Sequence, residues 1–153
     1  MGLDALPVHL RWEAIRRGGY ALALCDYDQD GFVDMYVGTG KEGVLLRNEG
    51  NVRFEDATAE AGLEADKLVK SAVFADFDND GTSDLLLVKF EYSSDRQAVL
   101  YGGLGGGKFR KASNFDFARL GNYDRHARYP MPMAVGDFNR DSLLDLYVGF
   151  PGK

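Results

Sequence analysis

Several classes of protein are excluded by what this 153-residue chain has little of. Cys25 is its only cysteine, so no disulfide can form within the chain. The cysteine content therefore does not indicate whether the protein works in an oxidising or a reducing compartment. No apolar run approaches the ~20 residues that a membrane-spanning helix needs, so we expect no membrane span. The formal net charge is −6, which leaves no excess of cations to neutralise phosphates, so we expect no nucleic-acid partner.

The residue types that are common indicate short strands and tight turns. The chain has 19 glycines, ten phenylalanines and eight tyrosines, but only four prolines. Aromatic residues are frequent in strands and glycines in the turns that join them. This composition favours many short strands over long helices.

The negative charge is concentrated in a repeated segment. Eleven of the 24 acidic residues are aspartates in three stretches, which we call loop 1 (26–34), loop 2 (76–84) and loop 3 (137–145). Their first aspartates are 50 and 61 residues apart. A second element, an apolar run followed by a glycine turn and a phenylalanine, lies at 44–54 and again at 99–109. Two elements that recur in the same order indicate an internal repeat.

The repeat unit predicts an all-β fold built from β-propeller-type blades. Apolar runs of about five residues that are bounded by Gly and Asp are typical of strands. Four antiparallel strands per unit are the content of one propeller blade, with the aspartate loop between the first and second strands. The predicted first strands are 20–25, 71–75 and 133–136, the second strands are 35–38, 85–90 and 146–150, and the outer strands are 44–47, 52–56, 98–101 and 108–111.

We expect a single repeat domain across residues 1–153. Closed propellers usually have 4–8 blades, and an open arc leaves exposed sheet edges. We therefore expect either a homo-oligomer that completes a ring or a fragment of a longer propeller. The predicted parts are an N-terminal strand at 8–14, blade 1 at about 20–63, blade 2 at about 69–112, an insertion at 113–130 and a partial blade 3 at about 131–153.

The aspartate loops are predicted metal sites. Positions 1, 3, 5 and 9 of loop 1 are aspartates, and Gly31 at position 6 permits a sharp turn. Four inward carboxylates repel one another strongly unless a cation lies among them. All-oxygen ligation without His or Cys selects a hard ion, and a flexible loop of high coordination favours Ca²⁺ over Mg²⁺. An EF-hand is excluded, because its glutamate at position 12 is replaced by an apolar residue in all three loops.

The same spacing gives three candidate ligand sets, each completed by the backbone carbonyl at position 7. Loop 3 departs from the pattern, because Asn139 removes one negative charge and Ser142 stands where the other loops have glycine. We expect Ca²⁺ in the first two loops and a third ion in loop 3. The predicted ligands are Asp26, Asp28, Asp30, Phe32 and Asp34 in loop 1, Asp76, Asp78, Asp80, Thr82 and Asp84 in loop 2, and Asp137, Asn139, Asp141, Leu143 and Asp145 in loop 3.

The loop sequence Asp-x-Asp-x-Asp-Gly-x-x-Asp-(Leu/Met)-x-Val resembles the FG-GAP/VCBS repeat of integrin α-subunit-like β-propellers. The strand after the loop, at 36–40 and 147–152, and the linker at 47–63 are similar to segments of such proteins. The resemblance implies a binding module whose calcium loops are structural and whose partners are usually bound by other loops. It also implies an extracellular or periplasmic location, where calcium modules with affinities of ~10⁻⁴–10⁻³ M are occupied.

The insertion is the predicted partner-binding surface, because loops carry recognition disproportionately and Arg and Tyr suit a binding patch. It is alternatively a solvated loop that packs its own aromatic residues. The candidate residues are Tyr123, Arg125, His126, Arg128 and Tyr129.

The predicted function is adhesion, protein–protein interaction or scaffold assembly, with a protein or glycan partner and no enzyme activity. The alternatives are a lectin-like carbohydrate-binding module and part of a calcium-propeller polysaccharide lyase or dehydratase. Only residues 122–129 offer the acid and base groups that such an enzyme needs.

Overall fold

The structure of the protein is a computed structural model that describes residues 21–39, 41–51, 53–89, 97–113 and 132–149. Within these residues the chain forms ten strands and no helix, so this part of it holds no helix that could cross a membrane. The strands are β1 (Ala21–Cys25), β2 (Asp34–Gly38), β3 (Gly43–Asn48), β4 (Phe54–Asp56), β5 (Val69–Ala75), β6 (Asp84–Lys89), β7 (Gln97–Gly103), β8 (Phe109–Lys111), β9 (Met133–Gly136) and β10 (Asp145–Val148).

The strands form three antiparallel sheets, each built from strands in chain order. Strands β1–β4 form blade 1, β5–β8 form blade 2, and β9 and β10 form blade 3. The aspartate loops connect the first two strands of each blade. The predicted all-β fold with blades of four antiparallel strands is confirmed, and every strand predicted from 20–25 onwards overlaps an observed one. The predicted N-terminal strand at 8–14 and residues 114–130 of the insertion lie outside the described residues.

Side chains alternate along each strand and so give each blade two faces. In blade 1, Ala23 pairs with Tyr36 and Leu24 pairs with Met35, so the two pairs lie on opposite faces. We call the face directed at the next blade along the chain the back face, and the opposite face the front face. Ala23 and Tyr36 lie on the back face of blade 1, and Leu24 and Met35 lie on its front face.

The main hydrophobic core lies between the back face of blade 1 and the front face of blade 2. It joins Ala23 and Tyr36 of blade 1 to buried side chains of β5 and β6 in blade 2, among them Val69, Leu85 and Leu87. Each of these side chains is removed almost entirely from water. The contact between the two blades is therefore stabilised by burial of apolar surface.

Blade 3 packs on the back face of blade 2 in the same manner. Val88 of β6 is fully buried and contacts Met133 and Val148 of blade 3. Strand β9 lies beside β5, as β5 lies beside β1. The three blades thus follow one another face to face, as the blades of a propeller do.

A glycine permits the close approach of blades 1 and 2. A Cβ atom at Gly38 would lie 2.8 Å from the Cβ atom of Ala21 and 2.9 Å from the Cβ atom of Val69. Interiors are packed too densely to absorb such contacts without moving a strand. Gly38 therefore sets the distance between β2 and β5.

The linker between blades 1 and 2, residues 57–68, is held by hydrogen bonds to both blades. The hydroxyl oxygen of Thr58 accepts a hydrogen bond of 2.9 Å from the backbone N–H of Leu45 in blade 1. The carbonyl of Ala61 accepts a hydrogen bond of 2.8 Å from the backbone N–H of Phe109 in blade 2. The linker is therefore part of the contact between the blades.

A buried carboxylate fixes the end of this linker. Asp66 is almost fully buried, its Oδ1 atom lies 2.6 Å from Nζ of Lys89, and its Oδ2 atom accepts a hydrogen bond of 2.7 Å from the hydroxyl of Tyr101. Burial and this hydrogen bond to Asp66 raise the pKa of Tyr101. Asp66 thus anchors the linker to β6 and β7.

We expect Asp66→Ala to lower the free energy of unfolding by about 2–4 kcal/mol, because Tyr101 and Lys89 lose a shared buried acceptor. Chemical denaturation followed by circular dichroism measures this change. Glu64→Ala is the matched control, since Glu64 forms an exposed ion pair with Lys111 at 2.7 Å and its loss should cost at most about 1 kcal/mol. Equal costs for the two variants would show that Asp66 is not an anchor.

Candidate metal centres

The three aspartate loops share one backbone shape. Position 4 of each loop has a positive φ, at 63° for Gln29, 61° for Asn79 and 64° for Arg140. Position 6 also has a positive φ, which Gly31 and Gly81 adopt without strain. Two left-handed residues so close together curl the chain, and this curl turns the side chains at positions 1 and 3 towards one point.

The aspartate at position 1 stabilises this curl. In loop 1, the two carboxylate oxygens of Asp26 accept hydrogen bonds from the backbone N–H groups of Asp30 and Gly31, both at 3.0 Å. Asp76 and Asp137 make the same pair of hydrogen bonds in loops 2 and 3. Aspartate is favoured at such turns because its short side chain reaches its own backbone a few residues ahead.

The aspartate at position 9 ties its loop to the third strand of the blade. Asp34 is fully buried, and its carboxylate accepts hydrogen bonds from the backbone N–H of Tyr27 at 3.2 Å and of Asn48 at 2.8 Å. Asp84 does the same in blade 2, with the N–H groups of Phe77 and Gly103, both at 2.8 Å. This carboxylate therefore has a structural role that does not depend on a bound ion.

Three carboxylates converge in each of loops 1 and 2. Ligand oxygens of Asp26, Asp28 and Asp34 all lie within 4.8 Å of one another, and the corresponding three aspartates at 76, 78 and 84 do the same. The donor set is all oxygen, and each carboxylate oxygen has a second lone pair beyond the one used by a backbone N–H. These residues therefore fit a hard divalent cation, and each cluster could hold a metal ion.

The predicted ligands at position 5, Asp30 and Asp80, are not part of these clusters. Asp30 Oδ1 accepts a hydrogen bond of 2.8 Å from the N–H of Phe32, and Asp80 Oδ1 accepts one of 2.8 Å from the N–H of Thr82. Phe32 and Leu143, at position 7 of loops 1 and 3, have hydrocarbon side chains, so any ligand atom that they supply would be the backbone carbonyl. The roles predicted for these positions remain predictions.

Burial and like charges oppose ionisation of the carboxylates at position 9. Burial raises the pKa of Asp34 to about 6; the hydrogen bonds from Asn48 and Tyr27 act against this shift, and the charges of Asp28 and Asp30 add to it. The pKa of Asp84 is also raised, mainly by burial. A cation placed among such groups favours their charged form, so the electrostatics of both clusters suit metal binding.

Loop 3 keeps the shape but has one carboxylate fewer. Asn139 Oδ1 accepts a hydrogen bond of 2.8 Å from the N–H of Asp141, and its amide nitrogen donates to Asp141 Oδ2 at 3.0 Å. Asp145 Oδ2 accepts a hydrogen bond of 3.0 Å from the N–H of Phe138. The expected third ion would therefore meet a less acidic site than the other two.

Loop 1 also contacts blade 2, which the sequence did not indicate. The side-chain amide of Gln29 donates a hydrogen bond of 3.3 Å to the carbonyl of Gly81 in loop 2. A Cβ atom at Gly107, in the hairpin between β7 and β8, would lie 3.0 Å from the Cβ atom of Asp28. Loop 1 is thus wedged between its own blade and the next one. The glycine-rich stretch 102–107 predicts a turn, but it does not indicate that loop 1 packs against this turn.

The predicted partner-binding residues cannot be placed relative to these loops. All five lie outside the described residues: Tyr123, Arg125, His126, Arg128 and Tyr129.

Antiparallel blades with an aspartate loop between the first two strands define a propeller-type repeat protein. The family model described as FG-GAP-like repeat matches residues 26–87 and 76–148, and the chain belongs to this family. Each match begins at the first aspartate of a loop and ends in the strand that follows the next loop. The resemblance inferred from the sequence is thereby confirmed. Repeats of this family are typical of extracellular or periplasmic proteins. No curated protein matches the chain.

We expect Asp34→Asn to lower the free energy of unfolding by about 1–3 kcal/mol in the presence of a chelator. The reason is that an amide of the same size cannot accept both backbone hydrogen bonds that the carboxylate accepts. Asp28→Asn is the matched control. It removes one of the clustered charges but keeps an oxygen for the weak hydrogen bond from Asp30. Urea denaturation in chelator should show no loss for this control, and an equal loss in both variants would contradict the structural role of Asp34.

We expect Ser142→Gly to stabilise the protein by about 1 kcal/mol, because Ser142 holds a φ of 69° that glycine adopts without a steric penalty. Thermal unfolding should report a higher melting temperature. The reverse change in loop 2, Gly81→Ser, should destabilise by a similar amount, since Gly81 has a φ of 89°. A neutral or destabilising Ser142→Gly would contradict this account of loop 3.

Proposed function

We propose that this protein is a calcium-binding, propeller-type module that works outside the cytosol in adhesion, protein–protein interaction or scaffold assembly. The proposal is for a binding module and not an enzyme. Its two principal sites are the carboxylate clusters of loops 1 and 2, with loop 3 as a third, less acidic site.

The convergence of three carboxylates in each of two loops carries this proposal. Asp26, Asp28 and Asp34 would hold the ion in loop 1. When bound, the ion would neutralise side chains that otherwise repel one another. Because Asp34 also accepts the N–H of Asn48 in β3, an ion on this carboxylate would tighten the link between the loop and the third strand.

Two features favour calcium and a location outside the cytosol. The clusters offer only oxygen donors from a short, curled loop, whereas Mg²⁺ demands nearly ideal octahedral geometry and keeps several waters. Extracellular calcium modules bind at about 10⁻⁴–10⁻³ M, a range that matches calcium-rich compartments and not the resting cytosol. Membership of the FG-GAP-like family supports the same location.

A structural role for the metal leaves partner binding to other surfaces. The converging carboxylates are engaged with their own loop backbone, so they are not free to reach a partner.

The lectin-like alternative and the lyase or dehydratase alternative both depend on residues 122–129, which lie outside the described residues. Nothing in the described part of the chain favours either alternative over a binding module. A glycan array would support the lectin-like alternative if binding were found and then lost with Tyr123→Ala or Arg125→Ala.

We expect isothermal titration of chelator-treated protein with CaCl₂ to give at least two ions per chain. Asp28→Ala and Asp78→Ala should each remove one ion and leave the other. If the dissociation constant is about 10⁻⁴ M, 10 mM CaCl₂ should stabilise the wild type by about 2–3 kcal/mol for each occupied site. MgCl₂ at the same concentration is the control and should have a smaller effect. A melting temperature that calcium leaves unchanged, together with no binding heat, would contradict the proposal.

A further inference from the structure

Two of the three converging carboxylates of loop 1 are held by blade 1. Asp26 directly follows β1, and both of its carboxylate oxygens accept hydrogen bonds from the loop backbone. Asp34 begins β2, and its Oδ1 atom accepts a hydrogen bond of 2.8 Å from the N–H of Asn48 in β3. The positions of these two side chains are therefore set by blade 1 and by the loop itself.

The residues on either side of the third carboxylate, that of Asp28, contact blade 2. Tyr27 is almost fully buried and stacks on Phe109 of β8, with 5.7 Å between the two ring centroids. Gln29 donates its side-chain hydrogen bond to the carbonyl of Gly81 in loop 2. The short segment that carries Asp28 is therefore docked on blade 2 at both of its ends.

Asp28 itself lies against the hairpin between β7 and β8. A Cβ atom added at Gly107 would lie 3.0 Å from the Cβ atom of Asp28 and 3.3 Å from Cε2 of Tyr27. A side chain at residue 107 would have to displace these atoms or the hairpin, because close-packed atoms leave no room for such contacts. Gly106 differs, since a Cβ atom there would have no heavy atom within 4 Å. Gly107 thus lets the backbone of blade 2 approach Asp28.

Support of this kind matters because a metal site tolerates little error in the placement of its ligands. A functional site must hold its side chains to within about 0.5 Å of the productive geometry. Changes in residues that support metal ligands without contacting the ion commonly cost about 10–100-fold in metal affinity. In loop 1, the support for Asp28 comes from a different blade than the support for Asp26 and Asp34.

We propose that the hairpin between β7 and β8 positions Asp28 for the ion of loop 1, so that Gly107 is a positioning residue of a metal site shared by two blades. The inference rests on the proposed function, since it requires that loop 1 binds calcium. By linkage, an ion that binds more tightly when the blades are in contact also strengthens that contact by the same free energy. Calcium in loop 1 then stabilises the docking of blade 2 on blade 1.

Calorimetric titration with CaCl₂ tests this role when loop 1 is the only intact loop. Asp78→Ala and Asp137→Ala each remove one candidate ligand, from loop 2 and from loop 3. In this background, Gly107→Leu should weaken calcium binding by about tenfold or more, because the new side chain displaces Asp28. Gly106→Leu is the matched control and should leave the affinity unchanged. Both glycines have a positive φ, 57° at Gly106 and 72° at Gly107, but only residue 107 lies against Asp28.

A second background separates displacement of Asp28 from general damage to the hairpin. With Asp28→Ala and Asp137→Ala, loop 2 is the intact loop. Gly107→Leu should weaken loop 2 much less than it weakens loop 1, and the calcium binding that loop 2 retains would show that the variant is folded. Equal losses in the two backgrounds, or equal effects of Gly107→Leu and Gly106→Leu on loop 1, would overturn the proposal.

Amide hydrogen exchange measures the reciprocal effect without a substitution in the hairpin. In the background with only loop 1 intact, calcium should slow the exchange of the N–H groups of Leu104 and Lys108, which form hydrogen bonds within the hairpin. Adding Asp28→Ala should abolish this slowing. Unchanged exchange in the hairpin, while calorimetry shows that loop 1 is occupied, would overturn the proposal.

The two possible failures are distinguishable. No binding heat for the wild type would contradict the proposed function and this inference together. Normal calcium binding that neither depends on residue 107 nor protects the hairpin would contradict this inference alone.

Discussion

A buried carboxylate at the ninth loop position organises both complete blades. Asp34 and Asp84 each join three parts of a blade, because they begin the second strand and accept hydrogen bonds from the loop and from the third strand. These hydrogen bonds favour the charged carboxylate, whereas burial and neighbouring aspartates oppose it. A cation shared with positions 1 and 3 would favour the charged form of these carboxylates, which supports the proposed metal role.

The same loops link neighbouring blades. Gln29 of loop 1 donates to the carbonyl of Gly81 in loop 2, and Asp28 lies against Gly107 of the blade 2 hairpin. The apolar contact between the blades is thus supplemented by a polar one at the end of the sheets where the loops lie. An ordered loop 1 would therefore stabilise the arrangement of two blades and not only the turn in its own blade.

Much of the fold and of the site could be predicted because the relevant forces are local. Apolar runs between Gly and Asp predicted the strands, and the spacing of the aspartates predicted that carboxylates converge within loops 1 and 2. The hydrogen-bond partners of each carboxylate could not be predicted from the sequence. Asp30 and Asp80 turn to the N–H groups two residues ahead, because a short acidic side chain competes for its own backbone. The dual role of Asp34 also required the position of β3.

The sequence by itself determined the repeat, the strands and the curl of the loops, since backbone dihedral preferences and periodicity act over a few residues. Only the tertiary structure decided which faces are buried. Tyr36 and Tyr147 occupy the same position of the same local pattern, yet one is in the core and the other is exposed. Tyr101 and Asp66 are 35 residues apart, yet they share a buried hydrogen bond. Burial depends on what packs against a surface, and this is set by the stacking of whole sheets and not by any single segment.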